Sequence, residues 1–190
     1  MALTLEEANR IARGALAKAG ELGIRINVAV CDGGGRLLVF QRMDNAMWAG
    51  AYGSQGKAIA SASFGCPSGE LTERAEHPTF RGITAAEGGH MIMGQGAVPV
   101  IRDGVIEGAC GVGGGTGQQD EDCARAGVDG ENAITAIGRI TEQRGQFERV
   151  KRGDKFICIR RHLSDERNLV GLVFFRTELD HQLQIIELLL

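Results

Sequence analysis

The sequence has only 3 prolines and 5% aromatic residues, and its five cysteines are scattered with no Cys-x-x-Cys pair. Their odd number and wide spacing argue against a disulfide framework and against a structural zinc site. No apolar run approaches the roughly 20 residues that span a bilayer. Met1 to Arg10 has no signal-peptide pattern, so the chain is expected to be soluble and cytoplasmic. A net charge of −3 gives no global reason to expect a nucleic-acid partner. With 43% apolar residues in 190, the chain is no disordered tail, and its length suits one domain of ordinary size. Neither a GxSxG nucleophile elbow nor an HExxH zinc motif is present.

Glycine is abundant instead, at 29 residues, twelve of them between Gly82 and Gly117. Glycines that punctuate apolar segments imply tight turns and close backbone approaches. Residues 4–22 read as a helix: Thr4 and Glu7 fit a capping box, an apolar stripe runs from Leu5 to Leu22, and Gly23 is the stop. Alternation over 24–30, the turn Asp32-Gly33-Gly34-Gly35 and the run 36–42 predict a hairpin. A small-residue helix is expected over 45–64, broken at Cys66-Pro67-Ser68-Gly69. A looser helical stretch around 70–76 ends at Pro78, and 81–89 is weakly patterned. A second hairpin is expected at 97–102 and 105–112, then a glycine loop, then a helix over 118–137 interrupted near Gly127–Gly130. Hairpins separated by helices predict an α+β fold with an antiparallel sheet.

The chemistry-bearing candidates are few. The loop Gly111 to Gly117 runs from a strand into a helix, where free amides are placed to hold an anion. It lacks the Lys-Ser/Thr of a P-loop, and Thr116 stands where GxGxxG needs its third glycine. A tight strand-to-helix turn beside a ligand pocket, lined by Gly113, Gly114 and Gly115, is the favoured reading. Of the four histidines, His77 lies among Glu73, Arg74 and Glu76 and reads as a solvated helix end. His90 lies among glycines, Met91, Ile92 and Met93. A packed histidine is the commoner use of such a position, and ligation of haem iron is the functional alternative. Arg42 and Asp44 close the first hairpin, and Lys57 sits on the helix that follows. A lysine on a small-residue helix against a sheet needs neutralising, by Asp32, by Asp44 or by an acidic ligand. The functional version is a pocket in which Arg42 and Lys57 hold a carboxylate.

The arrangement Val28-Ala29-Val30-Cys31-Asp32-x-x-Gly35, Gln41-Arg42-Met43-Asp44, Lys57-Ala58, Val98-Pro99-Val100, Ile106-x-Gly108-x-x-Gly111-Val112-x-Gly114-Gly115 and Gln119-Asp120-x-x-x-Ala124-x-Ala126-Gly127 resembles the GlcG/HbpS-like proteins. These include glycolate-operon proteins, a secreted haem-binding redox sensor and the C-terminal domain of PduO-type corrinoid adenosyltransferases. The resemblance covers about residues 4–137. It implies a profilin-like sandwich, a central antiparallel sheet flanked by helices, assembling as a homo-oligomer from dimer to octamer, with haem as the named ligand in some members. Gly94-Gln95-Gly96-Ala97 stands where the family has a run of glycines, and Gly113 where its loop has a serine. No histidine lies on the first helix, where one haem-binding branch has its ligand.

The favoured expectation is a small-ligand-binding oligomer, its ligand acidic, with a pocket from Arg42, Asp44, Lys57, the His90 stretch and the glycine loop. His90 would be the metal ligand if haem is bound. The competing expectation is a cofactor-independent tautomerase, hydrolase or dehalogenase acting on a small unsaturated or hydroxylated carboxylate in catabolism. There Arg42 or Lys57 holds the carboxylate while His90, His77 or Asp120 handles protons. A purely structural oligomer is the third.

Two segments are expected: 1–138 as the family-like domain and 139–190 as an appended C-terminal extension. In the latter, eight cations face three anions between Arg139 and Arg161 with only Phe147 and Phe156 interleaved, which reads as a solvated connector. Short strands at 156–159 and 169–175 and an amphipathic end at 178–190 follow. Their apolar surface is expected to dock on the core or, preferably, on a neighbouring subunit as an arm.

Overall fold

The computed structural model describes residues 3–143 together with 147–152, 155–160, 170–175 and 184–189, with side-chain surroundings given for 3–137. The chain divides into two compact units, Met1–Thr135 and Ala136–Leu190.

The first unit opens with α1, Leu5–Glu21. Its start is fixed by the expected capping box: the Glu7 amide donates to Thr4 Oγ1, and the Thr4 amide donates to Glu7 Oε2 at 2.8 Å. Ala8, Ile11, Ala12, Ala15 and Ala19 form its buried stripe. Strands β1 (Asn27–Asp32) and β2 (Leu37–Arg42) make the first hairpin, β3 (Ala97–Arg102) and β4 (Val105–Gly113) the second. They join in one antiparallel sheet of order β2-β1-β4-β3. This is the α+β architecture read from the sequence.

The two sheet faces differ in what they carry. Val28, Val30, Val98, Val100, Cys110 and Val112 face α1 and α4 (Gly117–Gln143) in the main core. On the other face Cys31 and Ala109 meet Ala58 and Ala62 of α2, Gly50–Phe64. Small residues bring α2 almost onto the strands: a Cβ at Gly111 would meet Ser54 O and Ala58 N.

The elements depart from expectation in four places. α2 begins at Gly50, after a turn in which Asn45 takes a positive φ of 64°. Residues 70–76 fall in a 3₁₀ helix, Ser68–Arg74. Pro78 starts a helix rather than ending one: α3 is Pro78–Ala86, with the His77 side chain accepting from the Thr79 amide. And α4 runs through Gly127–Gly130 without a break. Gly127 serves a helix crossing, where a Cβ on Gly14 would lie 2.8 Å from Gly127 Cα.

The second unit holds β5 (Phe147–Arg152), β6 (Lys155–Arg160), β7 (Val170–Phe175) and β8 (Gln184–Leu189) in an antiparallel sheet of that order. The connector expected at 139–161 is therefore the end of α4 and a hairpin, β5 pairing antiparallel with β6 from Phe147 opposite Arg160 to Arg152 opposite Lys155. The amphipathic end contains a strand, while residues 161–169 and 176–183, with His162 and His181, lie outside the described residues.

Candidate functional site

Lys57 sits in the middle of α2, and its ammonium is buried where α2, the Gln95–Gly96 turn and the start of α4 converge. Nζ donates to Asp120 Oδ2 at 2.8 Å and to Gln95 O at 3.1 Å. The two side chains are only 10% and 5% exposed. The counter-charge expected from Asp32 or Asp44 thus comes from Asp120, one turn into α4. The other oxygen, Asp120 Oδ1, accepts from the Gly115 amide at 2.8 Å, so one carboxylate ties α2 to the glycine loop. Gly96, with φ 131°, lies against this pair. A Cβ there would meet Lys57 Nζ and lie 2.7 Å from Asp120 Cβ. Position 96 tolerates glycine alone, for both reasons.

The glycine loop itself is largely self-satisfied. Besides the Gly115 amide, the Thr116 amide donates to Gln119 Oε1 at 3.0 Å and the Gln119 amide donates to Thr116 Oγ1, a reciprocal cap on α4. Two amides that an anion would use are therefore engaged. Gly113 pairs with Asn27, which pairs with Arg42, so the three stand side by side across β4-β1-β2. Asn27 is fully buried: Nδ2 donates to Met47 O and Gly113 O at 3.0 Å, and Oδ1 has no partner among the described residues. Arg42 and Asp44 are exposed beside it, and their side chains form no hydrogen bond or ion pair among the described residues. The structure thus joins Lys57, Asp120 and Gly115, and leaves Arg42 and Asp44 as a separate, open corner.

His90 belongs to another surface. It follows Gly88 and Gly89, both with left-handed φ (73° and 76°), and is exposed. The chain then crosses α2 at Gly56: the Ile92 amide donates to Gly56 O at 3.0 Å, and a Cβ at Gly56 would lie 2.7 Å from His90 O. Tyr52 stands one helical turn before Gly56 on the same face of α2. Tyr52 is 68% exposed and meets Trp48, 67% exposed, edge to face at 6.1 Å; Met47 and Ile92 are exposed too. The sequence pattern does not mark this aromatic face, because Trp48 lies in the turn before α2 and Tyr52 is a single aromatic in a small-residue helix, so the pair carries no periodicity.

On the opposite face of the sheet lies an ionic network that the sequence did not announce. Arg102 Nη1 donates to Glu7 Oε1 at 2.7 Å and to Glu107 Oε2 at 3.1 Å. Arg10 holds both oxygens of Glu131, at 2.7 and 3.0 Å. Arg102 Nη2 lies 3.6 Å from Glu131 Oε1, an ion-pair distance without a hydrogen bond. Burial pushes the Glu7 carboxyl up, but hydrogen bonds from Thr4 and the Arg102 guanidinium outweigh it and hold it near about 2. The buried thiols are chemically quiet: desolvation pushes Cys31 up to about 12 and Cys123 up to about 11, far from a reactive thiolate. Among the described residues no cluster of three His, Cys, Asp or Glu side chains is placed to hold a metal ion, and no helix is long and apolar enough to cross a membrane.

Comparison with known proteins agrees with this fold. The profile of the family described as haem-degrading protein HbpS-like matches residues 3–129. An uncharacterised 15.0 kDa protein from the dhaT–dhaS intergenic region of Citrobacter freundii is 31% identical over 128 residues, 67% of this chain and 90% of that protein. The crystal structure of a double mutant of Streptomyces reticuli HbpS superposes with a TM-score of 0.61 at 32% identity, covering 68% of this chain and 86% of that one. A PduOC:haem complex superposes with the same TM-score of 0.61 at 24% identity, covering 68% and 94%.

Proposed function

The chain belongs to the HbpS-like family, and on that premise we propose that it is a small-ligand-binding protein whose ligand is haem. The family's description and a neighbour of the same fold solved with haem support the choice of ligand. The observation that carries it is the exposed surface at the start of α2, where Trp48 and Tyr52 meet edge to face and the His90–Ile92 segment, with His90 exposed, crosses the helix one turn further on at Gly56. Imidazole is a usual axial ligand of haem iron, and exposed apolar rings suit a flat macrocycle. The donor chemistry therefore fits. The face is a surface rather than a socket, and the described cavity between β1, β2 and α2, about 30 Å³, is far too small for a macrocycle. Haem bound here would be covered by a second copy of the chain, so the same aromatic face supports the homo-oligomer. Bound haem would supply iron redox chemistry, and His90 would be the residue that holds its iron.

The enzyme reading has less support. It assigns Arg42 or Lys57 to a substrate carboxylate, and the Lys57 ammonium is committed to Asp120 and Gln95 O. Arg42 and Asp44 remain open for a small acid at their own corner.

Titration with ferric haem tests the proposal. The expected result is a saturable Soret band that is lost, or weakened about tenfold or more, in His90→Ala. Absence of any saturable spectral change would overturn it, and an unchanged band in His90→Ala would remove His90 from the site.

A further inference from the structure

His77 has no place in the proposed haem site, and the structure gives it a different task. It is the N-cap of α3, and its Nδ1 accepts from the Thr79 amide at 3.3 Å. A ring nitrogen that accepts carries no proton, so in this arrangement the imidazole is neutral, with its hydrogen on Nε2. Pro78 at the start of the helix removes one orphan amide, and the first turn holds no Asp or Glu to complement its positive end. Capping of that end falls to an exposed histidine.

The two ends of α3 are held unequally. At the C-terminal end the Gly88 amide donates to Ala85 O at 3.0 Å and the Gly89 amide to Thr84 O at 2.9 Å, a closed glycine cap. Glu87 Oε1 adds an ion pair with Arg36 Nη1 at 2.9 Å. None of these groups titrates as an imidazole does. The N-terminal end carries the apolar anchor: the His77 ring stands edge-on to Phe80 at 6.3 Å, and Phe80 stacks on Phe64 of α2 at 5.1 Å. No residue of α3 is buried, and Phe80 brings the helix to the cluster of Ala60, Leu71 and Met91. Cap and anchor therefore share one turn.

The charged groups around the ring are Glu73 and Arg74 at the end of the 3₁₀ helix, Glu76 beside it, and Arg81 on α3, 4.0 Å from Glu76. Their charges balance. From α2 the contact reaches His77 through the uncharged rings of Phe64 and Phe80.

We propose that α3 is an acid-sensitive element whose N-cap, His77, is its proton switch. A proton on Nδ1 turns the acceptor into a donor, so the Thr79 amide loses its partner. It also places a cation at the positive end of the helix dipole. The first turn then opens, Phe80 leaves Phe64, and the apolar cluster beneath is uncovered. Stability that the neutral ring supplies is lost as pH falls. The inference goes beyond haem binding and uses none of its residues.

Amide hydrogen exchange over residues 80–87 of the haem-free full chain tests it, at about pH 8 and about pH 5, either side of the range in which imidazoles titrate. Each rate is referred to that of an unstructured chain at the same pH. Wild-type protection is expected to fall about three- to tenfold at the lower pH, the worth of an N-cap. His77→Asn, whose side-chain oxygen accepts at either pH, should keep its protection at both. His77→Ala should show the lower protection at both. A wild-type fall no larger than that of His77→Asn would overturn the proposal, as would His77→Ala protection equal to wild type at the higher pH. With haem absent, the result is independent of the Soret titration.

Discussion

Lys57 and Asp120, 63 residues apart, tie α2 to the glycine loop and the start of α4. A buried ion pair adds little net stability over an apolar pair, but removing one partner strands the other charge. Lys57→Met is therefore expected to cost about 3–5 kcal/mol in urea unfolding, and Lys57→Met with Asp120→Leu to recover part of that loss. A single-variant loss under about 1 kcal/mol would show that the charge finds water. Glu7 gives a pH-dependent counterpart. Its folded carboxyl is lowered from 4.5 to about 2, so its contribution is complete above the unfolded value and disappears as pH falls through the folded one. Glu7→Gln should lose about 1–3 kcal/mol near neutral pH. Its gap from wild type should close as the pH is lowered from about 5 to about 2 in a chemical-denaturation series. A gap that stays constant with pH would mean that the loss is of capping geometry rather than of charge.

At the scale of elements, legibility followed how local the determining physics is. α1 was readable because its cap and its stripe lie within the helix itself. The first sheet was readable because β1 to β4 alternate or run apolar between glycine turns. Pro78 was ambiguous: proline ends a helix that precedes it and starts one that follows, and His77 as a cap decides for the second. Gly127 looked like a break, yet its role is to let α4 touch α1, which is visible only in three dimensions. The basic run around β5 looked solvated because Phe147 and Val150, three residues apart, give no period-2 alternation, and the strand is evident only from its pairing with β6. The candidate site divides in the same way. That Lys57 required an anion was legible, whereas its choice of Asp120 over Asp32 or Asp44 depends on how α4 meets α2. Outside the site, the exposed ion pair between Arg36 and Glu87, 51 residues apart, gave no sequence signal at all.

For the whole molecule, the question is what residues 139–190 add. The first unit carries its own closed core, and the described anchors of α4 end early: Glu131 binds Arg10, Asn132 binds Arg102, and Thr135 binds Glu131. A chain ending at Gly138 keeps all three. It is therefore expected to retain its helical circular dichroism and a cooperative melt. Among the described residues the extension holds a four-stranded sheet whose outer strands, β5 and β8, each have one edge unpaired. Open edges of that kind are templates for another chain. The arm-like role expected of the extension is thus better placed on strand pairing between copies than on a long connector, since the connector is taken up by α4 and a hairpin. On that account the truncated chain should sediment as a smaller species than the full chain, or melt at a lower temperature. A truncated chain of the same oligomer size and melting temperature would make the extension a passenger, and the assembly would then rest on the α2 face around Trp48 and Tyr52.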